Sequence, residues 1–202
     1  MADHTVVADD EVDLGRRKFL TRATIASGAV GAAFAAVPFI ESWNPSERTR
    51  AAGVPIEVDL SKIEPGQMTM AVWRKSPIYV VRRTPVMLAG IAGHDKELKD
   101  PQSENSDQPA YAKNALRSRT SEFLVVTATC THLGCLPKQR FAQGELYPGW
   151  PGGFFCPCHG SRFDLAGRVF AGSPASLNLA VPPHSYPNPR TLLIGADEKG
   201  AA

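Results

Sequence analysis

The sequence has no excess of charge of one sign, no internal repeat and few cysteines. Its 202 residues carry 22 Lys and Arg against 20 Asp and Glu, which gives a formal net charge of +2. Because both signs are interspersed, nothing in the composition indicates a nucleic-acid partner. The length, with a hydrophobic content of 43%, suits one ordinary core and at most a small second lobe.

Long apolar runs are also scarce, and one stands out near the N-terminus. The segment "ATIASGAVGAAFAAVPFI", residues 23–40, contains no charged side chain. At about 1.5 Å per residue, this is the lower limit for a helix that crosses a bilayer. We therefore predict a transmembrane anchor over residues 23–40. A buried core helix is the alternative, but such helices rarely run this long without a polar face.

The residues before the apolar run, "GRRKFL", contain a pair of arginines. Paired arginines ahead of a mild, Ala- and Gly-rich run resemble a twin-arginine export signal, which carries proteins across the membrane already folded. Residues 33–35 offer a cleavage site, but the apolar run continues to Ile40, so we predict an uncleaved anchor. By the positive-inside rule, residues 1–22 form a cytoplasmic tail and the rest of the chain lies in the periplasm of a bacterial cell.

After the anchor, residues 41–53 ("ESWNPSERTRAAG") are polar and end in small side chains, which indicates a tether or hinge. From Val54 to the C-terminus, short strand-like runs alternate with turn residues, so residues 54–202 are predicted to form an all-β head of antiparallel sheets. The candidate strands lie in "VPIEVDL", "MTMAVW", "SPIYVVRR", "SEFLVVTAT", "GGFFCPC" and "TLLIG".

Two stretches of the head depart from the strand pattern. Residues 84–98 could be helical, with Thr84 and Pro85 as a start, although Gly90 and Gly93 weaken the case. Residues 99–120 are polar and rich in turn formers, which predicts a surface excursion.

All four cysteines and two of the five histidines fall in two short boxes, "CTHLGC" (residues 130–135) and "CPCHGS" (residues 156–161). Thiolate and neutral imidazole are both good ligands for borderline or soft metals, so a zinc site, a disulfide and an iron–sulfur cluster could each use some of these side chains. Structural zinc typically takes its ligands from separate Cys pairs and His pairs, whereas each box here mixes the two types. Six candidate ligands are also two more than one zinc ion needs.

The two boxes resemble the signature of Rieske iron–sulfur proteins, in which two thiolates and two imidazoles hold a 2Fe-2S cluster. The twin-arginine anchor, the tether, the β-rich head and the downstream "GSPASLNLAVPP" extend the resemblance to the Rieske subunit of cytochrome bc complexes, over nearly the whole chain. This implies a Rieske-type head with a cluster-binding subdomain at about residues 128–176.

The resemblance also implies roles for individual residues. The four ligands of the cluster would be Cys130, His132, Cys156 and His159. The two cysteines would hold the buried iron and the two histidines the outer iron, while Cys135 would pair with Cys158 in a disulfide. Ser161 would donate a hydrogen bond to the cluster, Leu133 would shield it from water, and the "GSPA" segment would cover a third side.

The function implied by the resemblance is that of a ubiquinol–cytochrome c oxidoreductase subunit. It would accept one electron and a proton from ubiquinol through His159 or His132, with His159 favoured, and pass the electron to a c-type cytochrome, contributing to proton translocation. The implied partners are the cytochrome b subunit, the c-type cytochrome subunit, ubiquinol and membrane lipid.

Two positions depart from the family pattern. A tyrosine that donates a hydrogen bond is usual where this chain has Phe163, and the lost donor predicts a lower midpoint potential than in relatives with tyrosine. Ser176 stands where the covering segment often has proline, which predicts a less rigid segment.

Three other functions share some of these features. A Rieske ferredoxin or oxygenase usually lacks the two extra cysteines, and an oxygenase needs a second iron site, for which only the scattered His4, His94 and His184 are left. A Rieske subunit of another exported oxidase, such as arsenite oxidase, fits the downstream "GSPASLNL" and the long tether less well. The third alternative is a zinc-bound or disulfide-stapled interaction module without a redox role.

Overall fold

The computed structural model describes residues 13–47, 49, 53–197 and 200–201. The chain divides into two compact units, Met1–Arg48 and Thr49–Ala202, and this division falls within the stretch 41–53 proposed as a tether. Most of the cytoplasmic tail expected at residues 1–22, including His4, lies outside the described residues, as does part of the tether.

The first unit contains one long helix, α1 (Leu14–Glu41). The carboxylate of Asp13 caps it by accepting hydrogen bonds from the amides of Gly15 and Arg16. The helix therefore begins well before the apolar run and includes the paired arginines. None of its side chains is buried, and its apolar stretch is long enough to cross a membrane.

The second unit is built on a central antiparallel sheet of β2 (Met68–Trp73), β3 (Ser76–Arg82) and β4 (Phe123–Thr127), with β3 in the middle. The interior residues of β3 and β4 are buried on both faces of this sheet. Double burial explains why both strands read as continuous apolar runs and not as an alternation of apolar and polar residues. The all-β prediction and these three strands are confirmed.

One face of the central sheet packs on a second sheet, formed by β1 (Ile56–Asp59), β9 (Thr191–Ile194) and β8 (His184–Asn188) in that order. The core between them includes Ile78 and Val80 of β3, which lie on one face because side chains alternate along a strand. After β9 the chain forms a short antiparallel pair, β10 (Ala196–Asp197) with β11 (Gly200–Ala201).

The opposite face of the central sheet supports a small third sheet of β5 (Lys138–Arg140), β6 (Gly153–Phe155) and β7 (Arg162–Asp164). Tyr79 of β3 stacks on Phe154 of β6, with ring centroids 5.8 Å apart. The Tyr79 hydroxyl also donates a hydrogen bond to the carbonyl of Pro137 at 2.8 Å. These contacts fix the third sheet to the rigid centre of the head.

The helix predicted at residues 84–98 is much shorter in the structure. Helix α2 (Pro85–Ala89) begins where expected, with the Thr84 hydroxyl accepting from the amide of Met87, and it ends at Gly90. A Cβ at Gly90 would lie 2.8 Å from the carbonyl oxygen of Pro151, so the chain passes too close there for a larger residue. A separate 3₁₀ turn follows at Asp95–Glu97.

The prediction that residues 99–120 form a surface excursion is correct for part of the segment only, where residues such as Lys99 and Gln102 are exposed. Asp100, Ser103, Arg117 and Ser118 are all buried. Their polarity is compatible with burial because most of their polar groups find hydrogen-bond partners, the Nε of Arg117 being an exception. Arg117, for example, donates to the carbonyl of Leu179 at 2.6 Å. Burial lowers the pKa of Arg117 to about 10, which leaves the guanidinium charged at neutral pH.

His184 of β8 is fully buried. Its Nδ1 lies 2.8 Å from the carbonyl oxygen of Pro182, so this nitrogen carries the proton and donates. Burial, which is the main cause, lowers the pKa of His184 from its ordinary 6.5 to about 4. The folded protein therefore holds this imidazole neutral at pH values where the unfolded chain protonates it.

We predict that acidification destabilises the head through His184. The stabilising effect of a lowered pKa is complete above the unfolded value of 6.5 and is lost as the pH falls towards 4. Between about pH 7.5 and about pH 5, the free energy of unfolding should fall by about 2 kcal/mol from this group alone. Denaturant titration of the wild type and of His184→Gln at both pH values measures the free energy of unfolding. An equal pH dependence in the two proteins would contradict the role of His184.

We also predict that Gly153→Ala disrupts the third sheet. A Cβ at this position of β6 would overlap the carbonyl oxygen of Phe163 on the neighbouring strand and lie 2.9 Å from the Cα of Asp164. Neither backbone atom can move freely, so the change should cost about 2 kcal/mol or more. The control is Gly144→Ala, where the site is open but φ is +73° and the cost should be about 1 kcal/mol. Thermal unfolding compares the two, and equal losses would refute the overlap.

Candidate metal centre

The two boxes fold into the same hydrogen-bonded turn. In the first, the amide of Cys130 donates to the carbonyl of Cys135 at 2.8 Å, and that of Gly134 donates to the carbonyl of Cys130 at 2.9 Å. In the second, the amide of Cys156 donates to the carbonyl of Ser161 at 2.8 Å, and that of Gly160 donates to the carbonyl of Cys156 at 2.9 Å. The repeated pattern places the first and sixth residues of each box side by side.

Each turn requires a glycine at its fifth position. Gly134 has φ of +82° and Gly160 has φ of +79°, in the left-handed region that side chains with a Cβ rarely adopt. Both loops therefore turn at these glycines. The first box directly follows the buried strand β4, and the second joins β6 to β7.

A disulfide joins the two turns. The sulfur atoms of Cys135 and Cys158 are bonded at 2.07 Å, which confirms the predicted pairing. The bond takes one residue from each box, so it fixes the two loops against each other. It closes a chain segment of 23 residues, and a cross-link of that length restricts the unfolded chain enough to stabilise the fold by about 3 kcal/mol.

The other two cysteines, Cys130 and Cys156, are buried free thiols, each with 2% of its surface exposed. Burial raises the pKa of the Cys156 thiol, and the adjacent Cys130 thiol raises it further. The Cys156 thiol therefore loses its proton less readily than an ordinary thiol, and a bound cation would favour its thiolate form.

The two histidines of the boxes lie together. The ring centroids of His132 and His159 are 4.8 Å apart, and the rings are nearly perpendicular, at 89°. Among the described residues, the Nδ1 atom of His132 has no hydrogen-bond partner although it is buried. A buried ring nitrogen without a partner is costly in a folded protein unless it binds a ligand.

These side chains form a donor set that fits a metal centre. The sulfur atoms of Cys135, Cys156 and Cys158 lie within 4.8 Å of one another, but two of them form the disulfide and cannot act as thiolate ligands. The free donors that remain in the boxes are two buried thiols and two imidazoles. That combination suits an iron–sulfur cluster of mixed ligation, and its chemistry also suits zinc.

A third segment, "GSPASL" at residues 172–177, packs against both boxes and is called the covering loop below. The hydroxyl of Ser161 accepts a hydrogen bond from the amide of Ala175 at 3.0 Å. The hydroxyl of Thr131 donates to the carbonyl of Leu177 at 2.6 Å. Ser176, the position where the sequence departs from proline, is exposed on this loop.

The surface beside the boxes is apolar. Leu133 has 71% of its surface exposed, and Leu136 and Leu177 are exposed as well. Exposed apolar side chains grouped on a surface are typical of places where a partner or an apolar ligand binds. The side chain of His159 is exposed beside them, whereas that of His132 is half-buried.

Phe163 is fully buried in β7, in the same core cluster as Cys130 and Cys156. The residue that departs from the family pattern therefore lies in the packing directly behind the boxes.

Two histidines outside the boxes, His94 and His184, are held by packing contacts in the head. His94 stacks on Phe170 with centroids 5.6 Å apart, and its Nε2 lies 3.6 Å from the Asp164 carboxylate. His184 is packed inside its own core, as described above.

The sequence did not identify two residues, Lys99 and Thr131, whose side chains donate hydrogen bonds to the covering loop. The ammonium of Lys99 donates to the carbonyls of Ser173 and Ala175, both at 2.7 Å. Nothing in the local sequence distinguishes Lys99 from a surface lysine, because its partners lie more than seventy positions away. Thr131 lies inside the first box, so its position in the sequence indicates a place near the metal centre.

Two known protein families match this chain, one in its N-terminal part and one in its head. Residues 7–46 match the family model described as "Ubiquitinol-cytochrome C reductase Fe-S subunit TAT signal". Residues 91–183 match the "Rieske [2Fe-2S] domain". The first match contains all of α1, and the second contains both boxes and the covering loop.

Individual relatives agree with these matches. The chain is 53% identical over 188 residues to the ubiquinol-cytochrome c reductase iron-sulfur subunit of Allochromatium vinosum, covering 92% of this chain and 91% of that one. It is 41% identical over 191 residues to the subunit of the same name from Blastochloris viridis, covering 95% of this chain and 98% of that one.

A solved chain titled "Hyperthermophilic respiratory Complex III" is 24% identical with a TM-score of 0.46, covering 85% of this chain and 98% of that one.

Proposed function

The chain belongs to the family of ubiquinol-cytochrome c reductase iron-sulfur subunits, and we propose that it accepts one electron and one proton from ubiquinol and passes the electron to a c-type cytochrome. The matched Rieske domain makes it an iron–sulfur protein.

We propose that the free donors of the boxes hold a single 2Fe-2S cluster, with the ligands Cys130, His132, Cys156 and His159. The observation that carries this assignment is how the disulfide divides the four cysteines and two histidines of the boxes. One Cys from each box is already used in the disulfide, which leaves one thiol and one imidazole per box. The buried Nδ1 of His132 without a partner supports coordination by that nitrogen.

When bound, the cluster supplies a one-electron acceptor whose potential depends on the hydrogen bonds and solvent around it. The chain's own residues supply the rest. The imidazole of His159 is exposed and can receive a hydroxyl proton from quinol, so His159 is proposed as the principal contact and His132 as the second. Leu133, Leu136 and Leu177 exclude water and offer an apolar surface to a lipid-soluble substrate.

The arrangement in the cell is proposed from the first unit and the disulfide. The paired arginines and the Tat-signal match support export of a folded head, with residues 1–22 in the cytoplasm and the apolar part of α1 as an uncleaved anchor in the inner membrane. The disulfide supports an oxidising compartment for the head, residues 54–202, namely the periplasm. Residues 41–53 would act as the tether.

The proposed partners are the cytochrome b subunit and the c-type cytochrome subunit of the same complex, together with ubiquinol and membrane lipid. A head on a tether can meet two partners in turn. The exposed leucines beside the boxes are the surface proposed to dock on them, because burial of one leucine contributes about 2 kcal/mol.

The ligand assignment predicts different outcomes for the two kinds of cysteine. Cys130→Ala or Cys156→Ala removes a proposed ligand, so the purified protein should contain almost no iron. The double variant Cys135→Ser/Cys158→Ser removes only the cross-link, so it should still acquire iron but lose it several-fold faster to a chelator, because the loops are no longer joined. Iron content per chain measures both. Loss of all iron in the double variant, with iron retained in Cys130→Ala, would reverse the assignment.

The missing hydroxyl at position 163 predicts a change in potential. Phe163→Tyr should supply a hydrogen bond to the sulfur atoms and raise the midpoint potential. About 1 kcal/mol for one net hydrogen bond corresponds to about 40 mV for a one-electron couple. The control is Phe170→Tyr, since Phe170 is buried in a different cluster with Leu98 and Trp150. Redox titration compares them, and an unchanged potential in Phe163→Tyr would refute this account.

A further inference from the structure

We propose that Lys99 is a positioning residue for the redox centre: its ammonium holds the covering loop against Ser161 and thereby fixes the direction of the Ser161 hydroxyl. The inference rests on the proposed function, because it takes a 2Fe-2S cluster as the occupant of the site. Lys99 lies outside both boxes, in the segment that the sequence predicted as a surface excursion.

The contacts of Lys99 converge on one short part of the covering loop. Its Nζ donates to the carbonyls of Ser173 and Ala175, both at 2.7 Å. These carbonyls flank Pro174, which has no amide hydrogen and cannot contribute a donor to a regular backbone ladder. An ammonium has three donors and no acceptor, and its charge shortens and strengthens such bonds. Lys99 therefore supplies the donor to the carbonyls on both sides of a residue that has no amide hydrogen.

The backbone around Lys99 is itself fixed. Its amide donates to the carbonyl of Val169 at 3.0 Å, and Leu98 forms an antiparallel bridge with Phe170. The side chain of Asn178, just beyond the covering loop, donates to the carbonyl of Asp100 at 2.9 Å. The ammonium is thus held on a rigid support that also fixes the exit of the loop.

The connection to the metal centre runs through Ser161. The amide of Ala175 donates to the Ser161 hydroxyl oxygen at 3.0 Å, while the Ser161 carbonyl accepts from the amide of Cys156. A serine hydroxyl has one hydrogen and two lone pairs, and it rotates to suit its neighbours. Because the Ala175 amide takes one lone pair of a fully buried hydroxyl, the hydrogen must point elsewhere. A loop held closed therefore keeps this hydrogen available to the metal centre, and a loosened loop releases it.

The test uses the full-length holoprotein in detergent. Lys99→Met keeps the length of the side chain and removes the ammonium. It should make amide hydrogen exchange in residues 172–177 several-fold faster and lower the midpoint potential. Lys99→Arg should restore both, because a guanidinium can donate to the same two carbonyls. The control for loss of charge is Lys96→Met, on the exposed turn Asp95–Glu97, which should change neither.

Repeating the Lys99→Met change in a Ser161→Ala protein separates an effect on the direction of the hydroxyl from a direct effect of the lysine charge on the potential. If Lys99 acts through the Ser161 hydroxyl, Lys99→Met should cause no further shift of potential in a Ser161→Ala protein, since coupled residues are not additive. A full shift in that background, or unchanged loop exchange in Lys99→Met, would overturn the proposal. Iron content and the electron paramagnetic resonance signal are recorded for every variant. An iron-free wild type would reject the proposed function, whereas a normal signal with an unchanged potential would reject only the role of Lys99.

Discussion

Everything at the metal centre depends on the joining of two identical backbone turns by one disulfide. Each turn closes on itself through two amide-to-carbonyl hydrogen bonds and bends at a glycine with positive φ. The Cys135–Cys158 bond then sets the turns face to face. As a result, the buried thiols of Cys130 and Cys156 and the neighbouring imidazoles of His132 and His159 lie on two loops that are fixed to each other.

The rest of the head supports this pair of turns from two directions. The central sheet is packed on both faces, so the strand that leads into the first box starts from a rigid core. The polar segment from Lys99 to Ser118 supports the covering loop from the other side, through the side-chain hydrogen bonds of Lys99 and the bond from Asn178 to the carbonyl of Asp100. Apolar packing thus positions the boxes, and a polar network positions the loop that covers them.

The sequence could predict the parts of this arrangement that local patterns encode. The buried strands read as apolar runs, and the boxes carry both the ligand types and the glycines that their turns need. It could not predict the burial of Asp100, Ser103, Arg117 and Ser118, because polarity indicates exposure unless partners are known, and Arg117 finds its main partner 62 positions away. The close approach of Pro151 to Gly90, where α2 ends, is likewise a contact between distant parts of the chain. The same holds for the contacts of Lys99 with a loop more than seventy residues later.

The central claim is that two histidine nitrogens and two cysteine sulfurs hold one pair of irons. It is tested most directly by elemental analysis of the wild-type protein, combined with nitrogen hyperfine spectroscopy of its reduced state. The account predicts about two irons per chain and coupling to two coordinated imidazole nitrogens. Zinc in place of iron, or an iron cluster without nitrogen coupling, would contradict it.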